Sequence, residues 1–226
     1  VSRGDAVTVN GGSLVLRSSS IVGAISARNG AHLQVEQSTI GAVSLQGART
    51  SITRTGLTAL HAVDGSEAIL RAVRVEGNGT TGLGGLLSID GGGLTVEESL
   101  VSDTGEDVLL IRGRDSDVRV VRSILTAHAE RSALGLRVRG GGLSIDDSAL
   151  HLNGGDYAYG LTVRDADSTL EGATIAASAG AESVGIVAGN SGISLRSSVV
   201  WLGSPAGGAT TGVSAGGANP QLLELT

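Results

Sequence analysis

The chain of 226 residues contains no cysteine, no methionine and no phenylalanine. It also contains no lysine, so its 16 basic residues are all arginine. Without cysteine there is neither a disulfide framework nor a thiolate metal site, and the redox compartment is left open. One tryptophan and two tyrosines are the only aromatic residues. A core must then be built from Leu, Val, Ile and Ala, which favours thin, regular layers over a bundle or sandwich centred on large rings. No run approaches 18 apolar residues, which excludes a transmembrane helix. No charged stretch followed by an apolar one opens the chain at Val1, so an export signal is either absent or already removed.

What is present is glycine, in quantity. Gly (37) and Pro (2) together make 39 of 226 residues, below the roughly 25–30% typical of low-complexity chains. With 40% hydrophobic and 17% charged residues, there is enough apolar material to bury a core. A net charge of −6 argues against broad nucleic-acid binding.

An internal repeat dominates the rest: apolar, any, apolar, two polar, small (often Ser), any, apolar. It reads Leu14-x-Leu16-x-x-Ser19-x-Ile21, then Leu33-x-Val35-x-x-Ser38-x-Ile40. Weaker copies start at Thr50 and Ala68, and the clear form returns from Leu94, Val118, Leu143, Ser168 and Ile193. Successive starts lie 19, 17, 18, 26, 24, 25, 25 and 25 residues apart. A second alternating pair precedes most copies, as in Val7-x-Val9, Leu136-x-Val138 and Leu161-x-Val163, and glycine corners such as Gly91-Gly92-Gly93 and Gly140-Gly141-Gly142 join the two. Alternation with period two marks strands with one buried face, and glycine supplies the positive φ angles of sharp bends. Each repeat is then one turn of a coil whose strands pair in parallel with the coils above and below.

On this repeat the whole chain resembles the right-handed parallel β-helix family of pectin-lyase-like architecture, with no catalytic motif matched. The expected fold is an all-β solenoid of about nine to ten coils, those near the N-terminus shorter (17–19 residues) than the later ones (24–26). The chain is expected to be one β-helix domain over 1–226, and a fragment of a larger protein. Within it, 1–75 forms the short-coil part, 76–215 the coils with protruding loops, and 216–226 a partial coil or tail.

In a solenoid, equivalent positions stack into columns, so aligned repeats predict spatial neighbours. Ser19, Ser38, Ser99, Ser123, Ser148 and Ser198 form a small polar column suited to hydrogen bonding along the axis. Glu98, Arg122 and Asp147 form one charged column, and Asp146, Glu171 and Arg196 its neighbour. These read as charge ladders worth roughly 0.2–1 kcal/mol per pair, although the pairs Glu97-Glu98 and Asp146-Asp147 keep acid–base chemistry open. Arg112, Arg139 and Arg164 are expected to form a third column. It is compensated by nearby aspartates or, as an anion-binding stripe, free to grip carboxylates with guanidinium forks.

The extra residues of the later coils fall at 76–85, 102–107, 126–133, 151–159, 176–183 and 201–211, and are expected to protrude from one flank. Tyr157, Tyr159, Trp201, His128 and His151 all lie there and are the candidate ligand or partner contacts, since insertions cluster on the binding face of repeat proteins. His32, His61, His128 and His151 lack the spacing of metal ligands, the glycine corners lead into strands rather than phosphate-binding helices, and no cofactor is implied. Arg3-Gly4-Asp5 matches an integrin-binding triplet, a weak three-residue signal. The leading expectation is a non-enzymatic, extracytoplasmic spacer, adhesin-like or binding module, meeting a protein or polysaccharide on the loop flank. The family resemblance also implies a lyase or hydrolase acting on acidic polysaccharide. End-to-end self-association through uncapped coils is a third expectation.

Overall fold

In a computed structural model, residues 5–77, 79, 84–205, 207–216 and 221–225 are described. Parts of the 76–85 and 201–211 insertions, of the 216–226 tail and of the Arg3-Gly4-Asp5 triplet lie outside them. Among the described residues the regular elements are β-strands, and their pairings are parallel. The chain is thus a parallel β-solenoid, built as the repeat predicts.

Each coil contributes to three ladders. In the long coils the first ladder stacks Leu87, Ile111, Leu136, Leu161, Ile186 and Val213 in register. The second stacks Leu94, Val118, Leu143, Ser168 and Ile193. The third stacks Val75, Val101, Leu125, Leu150, Ile175 and Val200. The short coils continue the same ladders, with Val43 paired to Leu60 and Leu60 to Leu87, and with Leu33 to Thr50 and Thr50 to Ala68. The apolar residues of all three ladders meet in one core of Leu, Val, Ile and Ala, so the shortage of aromatics is accommodated by a narrow interior.

That interior has one especially tight side. Gly135, Gly160 and Gly185 are buried, and a Cβ on Gly160 would stand 2.5 Å from the Ile175 side chain and 2.3 Å from the Gly185 carbonyl. The equivalent atom on Gly185 would meet Val200 at 2.3 Å. This glycine column leaves the space that the third-ladder residues Leu150, Ile175 and Val200 fill. The repeated Leu134-Gly135-Leu136, Tyr159-Gly160-Leu161 and Val184-Gly185-Ile186 is its sequence signature.

The coil turns from second to third ladder at a single residue of left-handed conformation. Glu98, Arg122 and Asp147 take this place with φ of 50°, 45° and 46°. A left-handed non-glycine residue costs roughly 1–2 kcal/mol, and hydrogen bonds at the same corner offset it. The Arg122 N–H donates to the Asp146 carbonyl of the next coil (2.9 Å) and the Asp147 N–H to that of Glu171 (2.9 Å).

The serine that follows completes the corner. Ser123 Oγ donates to the Val121 carbonyl two residues back (2.7 Å) and accepts the Ser99 N–H of the preceding coil (3.1 Å). The Ser123 N–H in turn donates to Ser148 Oγ (3.0 Å). Ser19, Ser38, Ser99, Ser148 and Ser198 each make the same bond to the carbonyl two residues back. The serine column is therefore structural: it satisfies backbone groups that a corner removes from the ladder.

Asp103 is buried at 3% exposure, and its carboxylate accepts the N–H groups of Gly79 (3.1 Å) and Thr104 (2.9 Å). A Cβ on Gly77 would stand 2.2 Å from this carboxylate. The side chain thus anchors the backbone of the preceding coil.

Two buried serines distinguish these roles. Ser123→Ala leaves the Ser99 N–H without its acceptor and is expected to lower unfolding free energy by about 1–3 kcal/mol. Ser168, whose buried hydroxyl has no partner, sits in an otherwise largely apolar column, and Ser168→Ala is expected to be neutral or mildly stabilising. Urea denaturation of the two variants checks the contrast; equal losses would contradict it.

Candidate functional site

The inserted segments at 102–107, 126–133, 151–159 and 176–183 do not protrude as loops. They lengthen the third ladder, turn at a short corner and start the first. Ser102 pairs with Thr126, Thr126 with His151, His151 with Ala176 and Ala176 with Trp201. Thr104, His128, Asn153, Ser178 and Gly203 form the next outward column. Between them Ala127, Leu152 and Ala177 point inward and are buried. The physical reason is the alternation within the insertions themselves: Thr-Ala-His-Ala and His-Leu-Asn-Gly keep period two, so extra residues extend the strand instead of leaving it.

The five candidate contact residues separate into two places. His128, His151 and Trp201 come together on the outer face of the third ladder, lining one shallow groove of about 350 Å³ with Thr126, Asn153 and Ser178. Trp201 is 58% exposed. Its ring reaches along the strand to Gly203, where a Cβ would stand 2.8 Å from Cη2. Tyr157 and Tyr159 lie beyond the corner, at the start of a first-ladder strand, with rings stacked at 6.4 Å and 17°. Tyr159 donates its hydroxyl to Glu182 of the next coil. It pairs through its backbone with Leu134 and Val184, both buried, so it serves largely as cover for that column. Tyr157 is the more open ring, at 40%.

The arginines stack differently from the expected column. Arg112 pairs with Arg137, while Arg114, Arg139 and Arg164 form the adjacent column two residues along the same strands. The expected column is offset by two residues at Arg112, since two of the three strands carry an outward arginine at both positions and the third has Thr162 beside Arg164. Five arginines therefore occupy one outer face of three coils. Arg114 approaches Asp90 (3.9 Å) and Asp115 (3.8 Å), and Arg139 approaches Asp165 (3.9 Å). All three separations exceed that of a charge-assisted hydrogen bond. Arg139, Arg164, Asp165 and Asn190 border a second open groove of about 440 Å³.

The other charged columns stack in the predicted order, and only some of their rungs are ion pairs. Asp146 pairs with Glu171 and Glu171 with Arg196. Glu97 and Glu98 both reach Arg122, at 2.5 Å and 2.9 Å, and Arg71 joins Glu97 at 2.6 Å. Hydrogen bonds from Arg71, with those from Arg122, hold the Glu97 carboxyl below its ordinary range despite partial desolvation. Arg131 does the same to Asp107 at the corner between third and first ladders. Carboxylates held in this way are poor proton donors near neutrality.

Among the described residues, no group of three or more His, Asp or Glu side chains is placed to hold a metal ion. Among the same residues, no helix is long and apolar enough to cross a membrane. Comparison of the chain with protein-family models, with curated proteins and with solved structures finds no match.

Burial, then the bond to Glu182 and its charge, push the Tyr159 hydroxyl up to about 12 from an ordinary 10. The raised value means that the folded state binds this proton more tightly than the unfolded one. The resulting stability is complete below pH 10 and is lost as pH rises toward 12. Absorbance at 295 nm is expected to show a tyrosine ionising near pH 12. In Glu182→Gln the midpoint should fall while remaining above 10, because burial is the larger cause.

Proposed function

We propose that this chain is a rigid, non-enzymatic scaffold, a right-handed β-helix of nine to ten coils that works outside the cytoplasm and meets its partner through a lateral face. The observation that carries the reading is the unbroken ladder from coil to coil. Outward side chains are held at a fixed spacing of about 4.8 Å along the axis, while three of the four candidate acids are engaged by arginine. Glu97, Glu98 and Asp146 each face a guanidinium, the arrangement of a charge ladder rather than of an acid–base pair flanking a scissile bond. A right-handed sense follows the strong preference of parallel crossover connections. The outer face of the third ladder, with His128, His151 and Trp201, is the contact surface in this reading, and the role is that of a spacer, adhesin-like element or binding module.

A second reading rests on the arginine face. Arg112 and Arg137 are stacked neighbours with no ion pair among the described residues, beside Arg114, Arg139 and Arg164. Such a grid suits a polymer carrying carboxylate or sulfate groups, because each guanidinium offers a planar fork to an oxyanion. Binding there would weaken as salt rises.

Incubation of the chain with neutral and acidic polysaccharides, scored for both retention and new reducing ends, tests these readings. The scaffold reading expects no cleavage. New chain ends that disappear in Asp146→Asn, Asp147→Asn or His151→Ala would overturn it. Retention of acidic polymer that falls severalfold in Arg112→Ala/Arg137→Ala, and with added salt, would support the arginine face.

A further inference from the structure

Charge is distributed unevenly over the solenoid. The first ladder's outer face carries five arginines, and the second carries the ladders of Arg71, Glu97, Arg119, Asp146 and Glu171. The third is different. Over five coils its three outward columns run Leu100 to Val199, Ser102 to Trp201 and Thr104 to Gly203. None of these fifteen positions is Asp, Glu or Arg. Charge resumes at the margins, with the Arg74–Glu76 pair in the preceding coil (2.5 Å) and with Arg122 and Arg131 at the two corners.

We infer that this uncharged face binds a neutral polysaccharide, laid along the solenoid axis against Trp201, His151 and Thr126. The inference rests on the reading of the third ladder as the contact surface and names its ligand. Size argues against the main competitor, a protein partner held by this strip alone. Five strands about 4.8 Å apart and five residues of about 3.3 Å each cover about 400 Å². That is half of the roughly 800 Å² per partner that a stable protein interface buries. A single sugar chain is narrow enough to be held by such a strip.

The chemistry of the strip matches a sugar as well. Ile124 and Val199 are 51% and 59% exposed and Trp201 adds an indole, so the face offers apolar surface for the C–H side of a pyranose ring. Asn153, Ser178, Thr126 and the imidazoles of His128 and His151 border the same groove and supply donors and acceptors for hydroxyls. With no charge to desolvate, a neutral ligand binds without the penalty that an ionic one would meet here.

Trp201 is the sole tryptophan, so its fluorescence reports on this face alone. The full chain is titrated with cellohexaose, xylohexaose and mannohexaose, and with hexagalacturonate as the anionic control. At least one neutral hexasaccharide is expected to shift the emission saturably, while hexagalacturonate leaves it unchanged. Calorimetry of Trp201→Ala should show that affinity reduced by about tenfold or more, with circular dichroism and the thermal midpoint unchanged. Silence toward all three neutral probes, an equal response to hexagalacturonate, or undiminished affinity in Trp201→Ala would overturn the inference. Silence without cleavage of any polysaccharide removes only the ligand assignment; cleavage removes the scaffold reading itself.

Discussion

In the described strands of this molecule the backbone amides face along the axis, and their partners lie in the coil above or below. From that constraint the rest follows. A coil that gained or lost a residue inside a strand would shift its side chains to the opposite face. Variation is therefore confined to corners and to additions that keep period two. Short and long coils coexist in one stack because the added 126–133 or 151–159 residues preserve the alternation of the third ladder, close at a corner and rejoin the first in register.

Corners are where the ladder is most easily lost, and the chain handles its two repeated corners differently. Between first and second ladders, glycines and small polar residues adopt positive φ, Gly140 and Gly141 among them. Between second and third, Glu98, Arg122 and Asp147 do so at a conformational cost, and the following serine bonds both its own coil and the one before. Because these residues are at corners, their side chains project outward, and they serve at once as conformational hinge and as rung of a charge ladder. Glu98 thus reads in sequence as a possible catalytic acid and in space as the ion-pair partner of Arg122.

Stacking also turns composition into faces. Residues that are 24–26 positions apart in sequence stand one rung apart in space, so a bias repeated in each coil becomes a continuous stripe. One stripe concentrates arginine and another removes charge entirely. Neither is visible in the net charge of −6. A flat, uncharged strip bounded by ion pairs is physically a different surface from the arginine grid around the corner, and the two would select different polymers.

The sequence alone determined the parallel solenoid, its core residues, the serine column and the stacking order of Glu98–Arg122–Asp147 and Asp146–Glu171–Arg196. Period-two alternation and a constant repeat length express these directly. Tertiary structure decided what depends on register across coils of unequal length. It placed Arg112 beside Arg137 rather than Arg139, parted Tyr157 and Tyr159 from Trp201, and built insertions into strands. It also revealed the glycine column beneath Leu150, Ile175 and Val200. A two-residue offset keeps a side chain on the same face, so alternation by itself cannot tell neighbouring columns apart; only the hydrogen-bonded pairing of one coil with the next does.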